Sequence, residues 1–588
     1  MHGDAADLEH IEERSSMLGA QRSLTFDVLI HSDHKNSMPE RVLIVGGVAG
    51  GASCAARLRR LNESAEIAVF DRGPYVSFAN CGLPYFVGNV IAEEGKLLVA
   101  SSVVFRNRFN IAVHTHHEVL AIDRVTQTIR VRDLEAGAER DEHYDTLVLA
   151  PGAAPIRPSM PGADLPGIFA VRTIPDSRRI RSWLEERKPK RALVIGGGFI
   201  GLEMAENLAR RDLAVMVLEK LPQVMPPLDA EMAVAVAEHL RASGVTLALG
   251  DGLAGFETQG EEIAARTESR ARYSAALVIL AIGVRPETGL AAAAGLPLGP
   301  RGGIAVDRQM RTADRHIFAV GDAVEVTDVV TGQETVLPLA GPANRQGRIA
   351  ADAIAGRDTS FRGVQATAVV GVFGLTVAST GASEKGLRRA GVGGFGKVYL
   401  HPGHHAGYYP GAKSIQLKLL FDLATGKVLG AQATGLEGVE KRIDVIATAI
   451  QMGSTVRDLA EAELCYAPQF GAAKDPVNLA GMIATNHLNG DMPLADWSRL
   501  AEWQVIDVRE VDEFAAGHVP GALNLPLSVM RERWAELPRN RPLALCCGVG
   551  QRAYYGVRFL RQQGLEVANL SGGYTTYRSL MKAGLVGA

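Results

Sequence analysis

RVLIVGGVAGGASCAARLRRL (Arg41–Leu61) runs into EIAVFDR (Glu66–Arg72), and about 150 residues later RALVIGGGFIGLEMAENLARR (Arg191–Arg211) runs into AVMVLEK (Ala214–Lys220). Each stretch passes from an apolar strand through a glycine turn into a helix, then into a second strand that ends on an acid. That pattern is a dinucleotide-binding βαβ unit: the turn lets backbone approach a pyrophosphate, and the helix N-terminus faces its charge. The chain contains two. In the first, with Gly46, Gly47, Gly50 and Gly51, Val48 interrupts the G-x-G-x-x-G spacing, yet Gly46 serves the tight turn and Gly51 the close helix–strand packing. Asp71, 20 residues after Gly51 and followed by Arg72, is placed to accept hydrogen bonds from a ribose. The second unit is complete, with Gly196, Gly198 and Gly201, then Glu219 18 residues on. A carboxylate there favours a free 2′-hydroxyl and repels a 2′-phosphate, so NADH is expected over NADPH. Lys220 beside it weakens that preference and leaves NADPH open.

Working outward, 588 residues suggest about four domains. Apolar residues at 47% and charged residues at 22% exclude wholesale disorder. A net charge of −3 gives no basic field for nucleic acid or an anionic membrane. No apolar run of about 18 residues occurs, so no membrane span is expected. The first residues are acidic and lack the apolar segment of a secretory signal. Five scattered cysteines (Cys54, Cys81, Cys465, Cys546, Cys547) do not make a disulfide framework. A cytoplasmic protein is expected. From about residue 356, Val369–Thr380 and Ile415–Phe421 read as strands, Gln432–Gly438 as loop and Val439–Met452 as a helix. HLNGDMPLADW (487–497) reads as a linker, and the remainder alternates short strands and helices.

After Asp71 comes RGPYVSFANCGLPYFVG (Arg72–Gly88). A redox dithiol would place a second cysteine five residues from Cys81, but Val76 and Phe86 occupy those offsets. A reactive Cys81 must therefore hold its oxidised state as a sulfenic acid, a persulfide or a mixed disulfide with a small thiol. In the first glycine-turn helix, Ser53, Arg57 and Arg60 share one face, and the two arginines suit a polyphosphate. Cys54, Leu58 and Leu61 share another, which reads as core. His401, His404 and His405 cluster without an acid or cysteine to complete a metal set, so no metal is expected.

RTADRHIFAVGDA (Arg311–Ala323) resembles the second flavin-contacting motif of the two-dinucleotide-binding flavoprotein disulfide reductases, which implies that Asp322 contacts FAD. LVLAPG (Leu147–Gly152) resembles their crossing into an inserted NAD domain, with Pro151 where Thr is usual. SFANCGLPY, HAGYYPGA (His405–Ala412) and CYAPQFGAAKDPVN (Cys465–Asn478) resemble the coenzyme A-disulfide reductases. The resemblance implies Cys81 as nucleophile, with Ser53, Arg57, Arg60, Ser77, Asn80 and Lys474 on coenzyme A. It also implies Tyr408 and Tyr466 near the thiol across a homodimer interface. WQVIDVREVDEFAAGHVPGALNLPL (Trp503–Leu527), CCGVGQRAYYGVRFLRQQG (Cys546–Gly564) and NLSGGYTTY (Asn569–Tyr577) resemble a rhodanese domain. Its loop Cys547–Gly548–Val549–Gly550–Gln551–Arg552 would cradle a Cys547 persulfide, with Arg552 adding positive potential. Cys546 is one residue early and is expected to point into the strand's packing, a vicinal redox pair being the alternative.

The expected architecture is α/β: two dinucleotide-binding (Rossmann-like) domains, an α+β dimerisation domain and a C-terminal rhodanese-like α/β domain. The boundaries are an extension at 1–38, poorly ordered; an FAD domain at 39–152 and 279–355; an NAD domain at 153–278; a dimerisation domain at 356–486; a linker at 487–497; and a rhodanese domain at 498–588. The activity implied is NADH-dependent, FAD-linked reduction of a coenzyme A persulfide, polysulfide or coenzyme A disulfide, with sulfane sulfur carried on Cys547. Two alternatives stay open: an NADH oxidase or peroxidase working through a sulfenic acid, and a sulfurtransferase or redox-sensing module.

Overall fold

The computed structural model describes residues 41–587, and the expectation for 1–38 lies outside them. Two five-stranded parallel sheets carry the two glycine turns. The first has the order Ile317–Ala319, Thr146–Leu149, Arg41–Val45, Glu66–Phe70, Ala112–His114. The second has the order Thr246–Leu249, Ala214–Glu219, Arg191–Ile195, Leu277–Leu280, Ile168–Phe169. Val42, Leu43, Ile44 and Val194 have no exposed surface. Strands covered on both faces need unbroken apolar runs, which is why these segments show no alternation. Leu277–Leu280 crosses the boundary expected at 278, so the second sheet takes in Ile279 and Leu280.

The third region is an antiparallel sheet, ordered Ala368–Val372, Leu375–Gly381, Val428–Gly435, Ile415–Asp422, Phe395–Leu400, with the helix Val439–Gln451 packed on it. The loop expected over Gln432–Gly438 is corrected here: Gln432–Gly435 finishes the central strand, buried at all its positions. Its polar residues misled because a partner satisfies them inside the core. Gln432 accepts from Asp229 N at 2.8 Å and donates to the Asp229 carboxylate at 2.7 Å.

A four-stranded parallel sheet (Leu523–Asn524, Gln504–Asp507, Leu543–Cys546, Val567–Asn569) forms the C-terminal region. Of the segment expected as a linker, Met492, Ala495 and Trp497 are buried. The helix Pro476–Leu488 enters that segment, and its later residues hydrogen-bond Asn569. The C-terminal region has a fixed seat: Tyr399 N donates to Ser571 Oγ at 2.7 Å, His401 Nε2 meets Thr576 Oγ1 at 2.8 Å, and Lys582 pairs with Glu238. Beneath Tyr399, the fully buried Lys418 ammonium contacts Asp229, Glu231 and Glu384 at 2.6–2.9 Å, and the Tyr399 hydroxyl joins Glu231 at 2.8 Å. No helix of the described residues is long and apolar enough to cross a membrane.

Candidate functional site

The two glycine turns are built alike. Gly46 and Gly196 have φ of +93° and +106°, and a Cβ at either would overlap a carbonyl oxygen, of Ala150 or Ala281, just past the neighbouring parallel strand. Only glycine fits both demands. The acids that end the second strands brace the turns: Asp71 Oδ2 accepts from Gly47 N at 2.8 Å, and Glu219 Oε2 from Gly197 N at 2.7 Å. Glu219 is buried, and its second oxygen accepts from Leu221 N at 2.8 Å. Gly51 and Gly201 pack against the carbonyls of Gly46 and Gly196, while Gly198 faces open space where a phosphate can approach.

A flavin nucleotide fits the first groove. Asp322, about one-fifth exposed, has no hydrogen-bond donor among the described residues, and its nearest cation, Arg172, is 3.9 Å away. Burial pushes its carboxyl above the usual range, as for a group whose polar partner comes with a ligand. Arg72 points elsewhere: it pairs with Glu287 at 2.5 Å and is mostly exposed.

Cys81 lies in the turn Asn80–Gly82, which leads directly into the helix Leu83–Val87, and its thiol is exposed. Val76 and Phe86 are buried, so no local partner exists for the sulfur. Ser77 holds a φ of +48°, costly for a residue with a Cβ, and its N–H donates to Gly47 O at 2.7 Å. That bond ties the thiol segment to the first glycine turn. Asn80, with its amide turned to satisfy both neighbours, accepts from Arg172 Nη1 at 2.8 Å and donates to Phe78 O at 3.2 Å. Burial, then the Glu203 and Asp322 carboxylates, raise the Cys81 thiol above its ordinary pKa.

The basic face differs from expectation. Arg57 is not a free cation: both Nε and Nη2 donate to Asp352 Oδ1, at 2.9 and 2.7 Å, on the helix Ala340–Ile354. That helix packs closely on Ala49–Arg59, and Ser53 Oγ reaches its Asn344. Arg60 is exposed, whereas Arg59 is buried and bonds four backbone carbonyls. Cys54 is buried, with its thiol pushed up to about 12.

Tyr408 and Tyr466 meet each other, hydroxyl to hydroxyl at 2.6 Å, on the exposed surface of the third region. Phe470 is exposed nearby in sequence, as is Lys474. Within one chain neither tyrosine hydrogen-bonds the Cys81 segment. Asp475 caps the following helix and holds the buried Arg442 at 2.8 Å.

In the C-terminal region, Cys547 directly follows strand Leu543–Cys546, begins the loop to the next helix and is fully buried. Gly550, at φ +94°, opens the helix Gln551–Gln562 and donates its N–H to Cys547 Sγ at 3.1 Å. Cys546 points into a separate apolar cluster, and all five cysteines are free. Arg552 corrects the expectation of an uncompensated positive charge. Its two terminal nitrogens bond both oxygens of Glu513, at 2.6 and 2.7 Å, and the pair holds the Glu513 carboxyl down at about 2.

Arg172, Glu203, Tyr85 and Glu513 escaped the sequence reading. Arg172 carried one signal, the Thr173–Asp176 capping box beside it. Tyr85 and Glu203 sat inside quoted motifs but had no visible partner.

A pyridine nucleotide-disulphide oxidoreductase family model matches residues 40–347, the corresponding dimerisation-domain model matches 367–475, and a rhodanese-like domain model matches 494–580. Over 442 residues the chain is 33% identical to the coenzyme A disulfide reductase of Staphylococcus haemolyticus, covering 75% of this chain and 98% of that protein. The structure of reduced CoADR-RHD from Bacillus anthracis superposes with a TM-score of 0.90 at 45% identity, covering 92% of this chain and 98% of the other. An NAD-dependent persulfide reductase from A. fulgidus superposes with a TM-score of 0.85 at 36% identity, covering 91% and 100%.

Proposed function

The chain belongs to the pyridine nucleotide-disulphide oxidoreductase family, and from that premise we propose an NADH-dependent flavoprotein that reduces coenzyme A persulfide, polysulfide or coenzyme A disulfide through Cys81. The observation that carries this reading is the exposed, unpartnered Cys81, tied by Ser77 to the first glycine turn, with a second cradled thiol at Cys547 of the same chain.

Gly46, Gly47, Gly51, Asp71 and Asp322 would hold FAD, and Gly196, Gly198, Gly201 and Glu219 the nicotinamide nucleotide. Arg72, paired with Glu287, would reach FAD only by leaving that partner. Bound FAD supplies a two-electron relay between NADH and the sulfur side. The buried Glu219 carboxylate disfavours a 2′-phosphate, and Lys220 does not offset it because it pairs with Glu268 at 3.0 Å.

The Cys81 thiolate attacks the inner sulfur of CoA–S–SH. The S–S bond breaks, HS⁻ leaves, and Cys81–S–S–CoA remains. An electron pair from NADH then cleaves that mixed disulfide, restoring the Cys81 thiolate and releasing the coenzyme A thiolate. Ser53, Arg57, Arg60, Ser77, Asn80 and Lys474 would contact coenzyme A. Arg57, already paired with Asp352, would meet it as one half of an ion pair rather than as a free cation. Tyr408 and Tyr466 fit a homodimer, in which exposed phenols, covered by the partner, would stabilise a leaving thiolate. Cys547 would carry sulfane sulfur as a persulfide held by the Gly550 N–H. Free cysteines suit a reducing compartment, and the cytoplasm is the proposed location.

The test is anaerobic NADH oxidation against coenzyme A disulfide, coenzyme A persulfide, glutathione persulfide and polysulfide, for the wild type, Cys81→Ser and Cys547→Ser. Turnover lost in the first variant with every acceptor supports the reading. Full turnover in Cys81→Ser, or rapid NADH consumption with oxygen or peroxide that sulfur acceptors do not accelerate, overturns it.

A further inference from the structure

The loop that encloses Cys547 is fastened by its neighbours. Tyr574 N donates to Cys547 O at 2.7 Å and Thr575 N to Gly548 O at 3.0 Å, both from the first turn of the helix Gly573–Lys582. Asn569 Nδ2 donates to Gly550 O at 3.1 Å. Gly573 comes so close that a Cβ there would stand 2.3 Å from Cys547 O. With these carbonyls held from outside, the loop's own N–H groups are left for the sulfur, and Gly550 N already bonds it.

Cys547 has no exposed surface, so a sulfur donor must come in past the outer residues of the loop. Val549 is exposed and apolar. Arg552 Nη2 lies 3.8 Å from where a Cβ on Gly548 would stand, which puts the guanidinium against the loop. Glu513 holds it with both carboxylate oxygens, at 2.6 and 2.7 Å, and both partners stay partly exposed. A second arginine near the loop is closed as well. Arg509 lies 4.5 Å over the Tyr574 ring, and the buried Asp507 carboxylate binds it at 2.7 Å. Glu510 and Asp512 add two exposed carboxylates to the segment that carries Glu513.

We propose that Glu513 sets the donor class of the C-terminal site: by neutralising Arg552 it turns away small dianionic sulfur donors of the thiosulfate type and leaves the site to organic persulfides. The inference rests on Cys547 carrying sulfane sulfur. From an organic persulfide, Cys547–S⁻ and R–S–SH give Cys547–S–S⁻ and R–SH. One S–S bond breaks, one forms, and the persulfide proton ends on the leaving thiol. From thiosulfate, Cys547–S⁻ and S–SO₃²⁻ give Cys547–S–S⁻ and SO₃²⁻, which gathers three negative charges at the loop instead of one. A free cation at the mouth would offset that repulsion, and the Arg552–Glu513 pair does not supply one. Glu513 is a positioning residue acting through Arg552.

The experiment mixes the holoenzyme, without NADH, with thiosulfate or glutathione persulfide near pH 7 at low salt. Samples are quenched with iodoacetamide, and the Cys547 peptide carrying one extra sulfur is followed by mass spectrometry against time and donor concentration. The wild type should load from glutathione persulfide about tenfold faster or more, at equal low concentration, than from thiosulfate. Glu513→Gln should raise thiosulfate loading about tenfold, through a lower half-saturating concentration, and leave persulfide loading within about twofold. That gain should shrink as ionic strength rises. Glu513→Asp, which keeps the charge, should behave as the wild type, and adding Arg552→Gln to Glu513→Gln should remove the gain. A wild type that loads equally fast from both donors would overturn the inference. So would thiosulfate loading in Glu513→Gln that is unchanged or slower, or a change that is equal for both donors. A wild type that gains no sulfur on Cys547 from either donor would instead remove the carrier assignment, and this inference with it.

Discussion

Cys81 and Cys547 are two thiols of one chain in opposite surroundings. Cys81 is exposed and lies at the start of a helix, and partial burial with the Glu203 and Asp322 carboxylates raises its thiol above its ordinary pKa. Cys547 is fully buried, accepts an N–H from Gly550, and has its nearby arginine already neutralised by Glu513. The contrast separates two tasks. A sulfur that must exchange a bulky organic thiol on every cycle needs open approach. A sulfur that stores one sulfane atom needs enclosure and fixed backbone donors, which require no rearrangement when charge develops.

The sharpest way to break the contrast is at the exposed thiol. Cys81→Ser should lower NADH-coupled reduction of every sulfur acceptor by about a thousandfold or more, read as anaerobic absorbance loss at the NADH band. Next comes the seat of the enclosed thiol's domain. Lys418→Ala would strand Asp229, Glu231 and Glu384 in the interior, and a loss of about 3–5 kcal/mol is expected in urea unfolding. Little change in the unfolding midpoint would show that the cluster does not bear on stability.

The same seat predicts a pH dependence. Burial lowers the His401 pKa to about 4, below its unfolded value near 6.5. Because the folded state resists protonation, this residue's contribution is complete above pH 6.5 and declines as pH falls towards 4. Thermal unfolding followed from pH 7 to 4.5 should show the decline, and His401→Gln should flatten that part of the profile. Smaller again is the effect of Cys547→Ser on the other half of the molecule. It should abolish sulfurtransferase activity while leaving coenzyme A disulfide reduction within about twofold, since no bond connects the two sites. A parallel loss of both activities would dissolve the division between the thiols.

What could be read from the chain follows from where the partners lie. Both glycine turns were legible because every participant falls within about thirty residues and steric demand restricts the residue type. The unpartnered state of Cys81 was legible for the same reason. Gln432–Gly435 was not, since its polar side chains find their donor and acceptor in Asp229, some 200 residues away. Arg57 and Arg552 were recognised as basic positions, but Asp352 and Glu513, which neutralise them, come from other elements. Residue type announces a charge; only the tertiary fold shows whether it is spent.

Tyr399 belongs at once to three parts of the molecule. Its backbone holds Ser571, its ring packs in the C-terminal core, and its hydroxyl reaches Glu231 in the first turn of the helix Ala230–Ala242. Anyone wishing to cut the protein at 487–497 and study the pieces would therefore expose apolar surface on both sides of the cut. The halves should be poorly soluble when made apart and recover when made together. The fusion has become a single inheritable part rather than two enzymes on a string.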